Sequence, residues 1–503
     1  MHWVLVILVP ATALSIWDFL QEKHALRRNY PLIARIRWLF EDLRPFLRAY
    51  IVESDREGRP FTIDERSLVY ARAKGQLDTH PMGTELDVYS EEYEWLGHSV
   101  APNDAASPVW QARIGGPDCD RPYASSLLNI SAMSFGSLSA RAIEALNKGA
   151  AIGGFAHDTG EGGISRYHRK HDGDLIWEIG SGYFGCRTPD GQFDPQRFAD
   201  QANDTQVKMI EVKLSQGAKP GHGGLLPAPK VSPEVAEARG IEPWTACISP
   251  AAHSTFSTPV ELLEWIAQLR KLSSGKPTGF KLCVGQPHEV MAIGKAILET
   301  GIAPDFIVVD GAEGGTGAAP QELTDNVGMP LREGLICIRN MLVGLNLKDK
   351  VMIGAAGKIH SGAGMARAHA LGADWCNAAR AFMFSLGCVQ SMKCHTDDCP
   401  TGVATQKAWR QKGLVVEDKA KRVAHFHQET LKSLREIVVA MGLQSPWEIS
   451  FRDMFQRIDS AKAGPMSEVY QFLEPGQLID DPSSTQYSRA WAQANPNSFR
   501  KQK

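Results

Sequence analysis

Apolar positions along this chain follow two different periods. From about residue 105 to residue 382, short continuous apolar runs alternate with stretches where apolar residues recur at helical spacing. The runs are LLNISAMSF (127–135), GGFAHDTG (153–160), LIWEIGSGYFG (175–185), VKMIEVKLS (207–215), TACISP (245–250), GFKLCVG (279–285), DFIVVDG (305–311), VMIGAAG (351–357) and WCNAARAF (375–382). Helical spacing follows at 140–149, 260–272, 288–298, 331–345 and 364–371. Strands that are apolar throughout are buried on both faces, so the alternation predicts a parallel sheet covered by helices. Some nine units in this span predict an α/β chain folded as a (β/α)8 TIM barrel, with an open doubly wound sheet as the structural alternative.

The two ends read differently. Residues 3–20 are mostly apolar and are followed by Lys23, Arg27, Arg28, Arg35 and Arg37. The stretch is short for a spanning helix, which wants about 20 residues. It reads either as a membrane anchor or as a buried apolar helix. The basic flank places the bulk of an anchored chain on the cytoplasmic side of the membrane; otherwise the chain is expected in the cytoplasm. Residues 30–50 carry Leu32, Ile36, Leu39, Phe40, Leu43 and Phe46 at the spacing of an amphipathic helix, and 420–441 show a similar pattern. After about residue 460 the chain is rich in Pro, Ser, Gln and Asn, which predicts partial order. The expected division is an anchor at 1–20, an N-terminal helical region at 21–105, the barrel with its cysteine cluster at 106–402, and a C-terminal helical extension and tail at 403–503.

Charge and composition narrow the chemistry. With 54 basic and 57 acidic residues and a net charge of −3, nucleic acid is excluded as the main partner. The 46 glycines cluster directly after apolar runs, where a barrel builds its active site. None of these clusters meets the demands of a dinucleotide fingerprint. A phosphate site is better supported at the last two strand ends, where Gly357 and Lys358 close one run and Ala379 and Arg380 the next. Lys281 lies inside an apolar strand, where an unpaired ammonium is costly. It is either ion-paired or faces a flavin ring whose reduced form is negative; Lys213 carries the same argument. Three of the nine cysteines, Cys388, Cys394 and Cys399, lie close together, with five and then four residues between them. Three thiolates suit an iron–sulfur cluster with three cysteine ligands. Zinc with His395 as fourth ligand and plain thiols are the alternatives.

These residues together carry a resemblance. SAMSFGSLS (131–139), DTGEGG (158–163), SGYFG (181–185), QGAKPGHGGLLP (216–227), ISPAAH (248–253), FKL (280–282), EGGTGAAP (313–320) and CVQSMKCHTDDCPTGVATQ (388–406) occur in the same order as in the synthase domain of the glutamate synthase large subunit. The chain resembles that family from about Asn129 to Leu443. The resemblance implies a barrel that carries FMN and a 3Fe-4S cluster and reduces an imine of 2-oxoglutarate and ammonia to L-glutamate. It implies that Cys388, Cys394 and Cys399 hold the cluster. Ala132, Met133, Ser134, Ser181, Gln216 and Lys281 would contact the flavin, with Gly357, Lys358, Ala379 and Arg380 at its phosphate. Lys213 and Lys219 would meet the substrate carboxylates. Electrons would come from a separate ferredoxin or NAD(P)H-dependent reductase subunit, and ammonia from solution or a separate glutaminase. Three positions depart from the family pattern. His222 replaces a glutamate and reads as a proton donor or a plain loop histidine. Tyr183 replaces an arginine, and Ala356-Gly357-Lys358 replaces an acidic-glycine-glycine motif. These leave the substrate more open than the cofactors. Related readings are an oxidoreductase using another amine, as N-methylglutamate synthase does, and a membrane-attached electron-transfer or scaffolding protein without catalysis.

Overall fold

A computed structural model describes residues 2–103 and 109–502, with the side chains of residues 2–4 left undescribed. The chain divides into two compact units, Met1–Ser67 and Leu68–Lys503. The domain boundary expected at 105/106 lies outside the described residues.

The second unit is built on a closed barrel of eight parallel strands. In chain order these are β1 (Leu128–Ile130), β2 (His157–Asp158), β3 (Leu175–Ile179), β4 (Val207–Lys213), β5 (Thr278–Leu282), β6 (Phe306–Asp310), β7 (Met352–Ala356) and β8 (Trp375–Ala378). Every strand pairs with its neighbour in sequence, and β8 closes on β1 with Ala378 opposite Ile130. The open-sheet alternative is thereby set aside. All residues of β1, β2, β3, β5 and β8 are buried, as their apolar runs require of a parallel sheet inside a ring of helices.

One predicted run is not a barrel strand. Within TACISP only Cys247–Ile248 is extended, and it pairs antiparallel with Leu225–Leu226. This hairpin belongs to the long insert between β4 and β5, which also holds a helix at Pro233–Arg239. Long loops in compact domains are commonly functional, and this one rises from the C-terminal end of β4.

The helices match their predicted periods and are capped by local chemistry. Ser139 accepts from Ala142 N and opens the helix Ala140–Gly153, which ends on Gly154 in the left-handed region at φ 67°. Thr258 and Glu261 form a reciprocal capping box at the start of Pro259–Leu272. The helix Val416–Ala440 packs on Ala140–Gly153. A Cβ at Gly149 would run into Val423, so glycine sets how closely the two helices approach.

The tail after residue 460, expected to be partly ordered, is built into the unit. Ala463–Pro465 and Met454–Arg457 form an antiparallel sheet with Glu94–Leu96, and Leu473, Leu478 and Tyr487 are buried. A few apolar anchors suffice to dock a segment whose average composition is polar.

The first unit holds the helices His2–Leu20, Ala25–Asn29 and Ile33–Leu47. Asp18 is buried and pairs with Arg35 through two hydrogen bonds. Among the described residues, no helix is long and apolar enough to cross a membrane, so the spanning form of the anchor expected at 1–20 finds no support here.

Candidate active site at the C-terminal ends of the strands

The polar loops gather at one end of the barrel because each leaves a strand in the same direction. At the end of β4, Lys213 Nζ donates to Gln216 Oε1 at 2.8 Å and lies 3.3 Å from Glu161 Oε2. Burial opposes ionisation of Glu161, but Lys213, Arg239 and Lys219 outweigh it and hold the carboxyl below its usual range. Lys219 is buried and donates to Ala318 O at 3.1 Å; burial lowers its pKa, with Glu161 acting in the opposite sense. Two of the predicted cations therefore share one carboxylate. Glu161 was quoted within a motif but not singled out, although an acid between glycines directly after a strand was the available signal.

His222 stands apart from this group. It is exposed, and its Nδ1 lies 2.8 Å from the adjacent Gly223 carbonyl. Tyr183 is buried, and its hydroxyl accepts from Ser254 N at 2.9 Å. That bond anchors the 250–256 loop, whose His253 is bonded to the Lys213 carbonyl at 2.9 Å. Burial pushes the His253 imidazole down to about 4, so it is neutral at physiological pH. Ser181 donates to Pro250 O in the same loop.

The loop after β1 carries Ala132, Met133 and Ser134. Ser134 Oγ accepts from Arg239 at 3.2 Å, and Gly160, at φ 64°, lets the β2 loop lie against the Met133 and Ser134 backbone. On the far side, Arg380 reaches over the β6 loop to donate to the Glu313 carbonyl. Gly315 leaves room for the Arg380 side chain, which a Cβ there would meet at 2.7 Å. Gly357 and Lys358 both have positive φ, 149° and 54°, at the end of β7. Since β6, β7 and β8 are adjacent in the barrel, Gly357, Lys358, Ala379 and Arg380 belong to one quarter of its rim.

Below the rim lies a charged layer inside the barrel. Lys281 is ion-paired to Glu178 and lies 3.0 Å from Glu211 Oε1, all three buried. This is the ion-paired reading of Lys281, whose ammonium is committed to carboxylates from β3 and β4. Asp158 completes the cluster, and Asp158, Glu178 and Glu211 place carboxylate oxygens within 4.8 Å of one another. Burial, followed by the charge of Glu211, raises Asp158 well above its usual range, and burial pushes Glu211 up to about 7 against the pull of Lys281. Sequence reading found the lysine and missed its partners, although Glu178 and Glu211 also interrupt apolar strands.

The cysteine loop leaves β8 through the helix Arg380–Ser385. Its path turns through positive φ at Gly387, Gln390, Met392 and Asp397. Tyr70 OH donates to Cys388 O at 2.6 Å. Lys230, from the β4–β5 insert, donates to Cys394 O at 3.0 Å and was not foreseen from sequence. Burial pushes its ammonium down to about 8, with Cys394, Asp397 and Cys399 acting in the opposite sense. Among the described residues, Asp158, Glu178 and Glu211 alone gather as three ligands of one ion within 4.8 Å.

The family described as "conserved region in glutamate synthase" matches residues 118–444. The glutamate synthase large subunit-like protein YerD of Bacillus subtilis is 35% identical over 497 residues, covering 91% of this chain and 94% of that protein. The archaeal-type glutamate synthase (NADPH) of Thermotoga maritima is 34% identical over 315 residues, covering 62% of this chain and 59% of that protein. Among solved structures, the recombinant flavin-binding domain of baker's yeast flavocytochrome b2 aligns with a TM-score of 0.42 at 11% identity, covering 95% of this chain and 96% of that one.

Proposed function

This chain belongs to the glutamate synthase family, and on that premise we propose that it is an FMN- and iron–sulfur-dependent oxidoreductase that reduces the imine of 2-oxoglutarate and ammonia to L-glutamate. The observation that carries the reading is the family match across 118–444, which takes in the strand-end loops and the three cysteines together. When bound, FMN supplies the hydride for the imine carbon, and a 3Fe-4S cluster supplies it with single electrons.

The residues present fit both groups. Three thiols with a buried cation beside them suit an anionic cluster. Gly357, Lys358, Ala379 and Arg380, at the ends of β7 and β8, would hold the phosphate, with the Arg380 guanidinium as its cation. Ala132, Met133, Ser134, Ser181 and Gln216 would hold the isoalloxazine. Lys213 and Lys219 bind the two carboxylates of the keto acid. Glu161 holds the Lys213 ammonium in place and keeps the pair of cations from repelling each other when no substrate is bound. The neutral His253 fixes the Lys213 backbone without adding charge. Its exposed position favours the loop-histidine reading of His222 over the proton donor.

Electrons come from a separate ferredoxin or NAD(P)H-dependent reductase, and ammonia from solution or a separate glutaminase. The exposed apolar side chains between Leu5 and Leu20 and the basic residues after them support attachment to the cytoplasmic face of a membrane.

The test is anaerobic purification of the full chain, with flavin, iron and sulfide quantified together. Turnover of 2-oxoglutarate with ammonium and a reduced ferredoxin is then measured. FMN with about three irons per chain and glutamate as product are expected. Zinc without flavin would overturn the redox reading. Product from methylamine but not ammonium would replace the substrate and leave the cofactors.

A further inference from the structure

We propose that Lys230 is the counter-charge and positioning residue of the redox cluster, joining the cysteine loop to the loop after β1. The inference rests on the proposed cluster at Cys388, Cys394 and Cys399.

Lys230 is 2% exposed. Its ammonium donates to Ser137 O at 2.7 Å, Cys394 O at 3.0 Å and Ala404 O at 3.2 Å. All of these acceptors are backbone carbonyls, and no carboxylate is ion-paired with it among the described residues. Asp397 is buried in the same loop, but its carboxylate accepts from Gln406 N at 2.6 Å. A cation taken out of water needs an opposite charge, because carbonyl dipoles replace hydration but do not neutralise it. Besides the Asp397 carboxylate, the groups that can supply it are the sulfurs of Cys394 and Cys399. As thiols they are neutral, whereas as ligands of an iron–sulfur core they are thiolates.

The three acceptors also give the position its mechanical meaning. Ser137 follows the Met133–Ser134 turn, while Cys394 and Ala404 bracket the second half of the cysteine loop. Gln406 ties the same two segments together by donating to Gly136 O at 3.0 Å and Leu138 O at 2.9 Å. Lys230 is the charged member of this junction, lying between the proposed flavin loop and the proposed cluster loop. Each electron entering the cluster makes an anionic unit more negative. A fixed cation beside it favours the reduced form and so raises the potential.

The experiment compares the wild-type full chain with Lys230→Gln and Lys230→Arg, all purified anaerobically. Iron, sulfide and flavin are counted, and the cluster is titrated by electron paramagnetic resonance. Glutamine keeps an N–H donor and loses the charge. At the wild-type midpoint its reduced-to-oxidised ratio should fall about ten-fold, a shift of about 59 mV for one electron, while the arginine variant stays within about two-fold of wild type. A glutamine variant that titrates with wild type overturns the inference. If the glutamine variant loses its iron, the arginine variant decides. Cluster retained at the wild-type potential supports the role of the charge, and iron lost there too, with flavin intact, overturns it. Wild-type protein without iron and sulfide would instead overturn the proposed function on which the inference stands.

Discussion

Lys281 and Lys230 are equally hidden from solvent, at 3% and 2% exposure, yet they solve the problem of burial in opposite ways. Lys281 lies in the barrel interior against Glu178 and Glu211, with Asp158 beside them. Lys230 lies under the cysteine loop against three carbonyls. In the first region the acids outnumber the base, and burial, with the neighbouring carboxylates adding to it, raises the carboxyl pKa values at Asp158 and Glu211. In the second the base is bonded to carbonyls alone, with Asp397 as the nearby acid. The barrel layer is a charge network across neighbouring strands, whereas the charge under the cysteine loop is the one the proposed cluster would complete. Burial of a charged side chain therefore does not by itself mark a functional site; the sign of the leftover charge does.

The sharpest way to break this comparison is Lys281→Met. The substitution leaves three buried carboxyls around a methionine, and removing one partner from a buried ion pair costs about 3–5 kcal/mol. We expect a loss of that size in urea unfolding at neutral pH. A loss below about 1 kcal/mol, within the range of an exposed pair, would show that the carboxyls are already largely protonated and that the network is not held by Lys281.

Much of the contrast was written in the sequence, but only half of it was legible. The barrel strands could be read because most lie in largely apolar runs, and a charged residue within such a run is conspicuous. Lys281 was found that way. Glu178 and Glu211 carry the same signal, and together the three announce a mutual pair across neighbouring strands. The short run at 245–250 looked like a further strand because apolarity cannot separate a barrel strand from a two-residue hairpin inside an insert. Lys230 sits in PAPKVS, a stretch with no periodicity, and its partners are carbonyls at Ser137, Cys394 and Ala404. Contacts to backbone leave no trace in side-chain pattern, so this part of the site needed the fold. The spacing of Cys388, Cys394 and Cys399 singles out their loop, while their role as cluster ligands rests on the family resemblance.

A smaller effect sharpens the barrel side. Burial pushes the Glu211 carboxyl up to about 7 from its ordinary 4.5, with Lys281 opposing. The folded chain therefore holds this proton more tightly than the unfolded chain does. The stability it contributes is fully present below the unfolded value and is lost as the pH rises through the folded one. Between those limits the wild type should lose up to about 1.4 kcal/mol per pH unit relative to Glu211→Gln, which cannot ionise. Unfolding free energies of both proteins at about pH 5 and about pH 7 measure the difference. Parallel pH profiles would place the shared proton elsewhere in the cluster.

The smallest effect belongs to a charge pair of a third kind. Lys148 and Glu417 link the helices Ala140–Gly153 and Val416–Ala440 at the surface, with the glutamate side chain 69% exposed. Water already solvates both charges, so the pair gains little on folding and is screened by salt. The two helices are held by apolar packing and by their close approach at Gly149, which the charge pair does not control. Lys148→Gln should therefore change unfolding free energy by less than about 0.5 kcal/mol, and less still at high salt. A loss above about 1 kcal/mol, persisting in 1 M salt where the screening length is about 3 Å, would mean that exposure is the wrong axis for ranking these lysines. Partner identity alone would then have to explain why Lys281 stabilises the barrel.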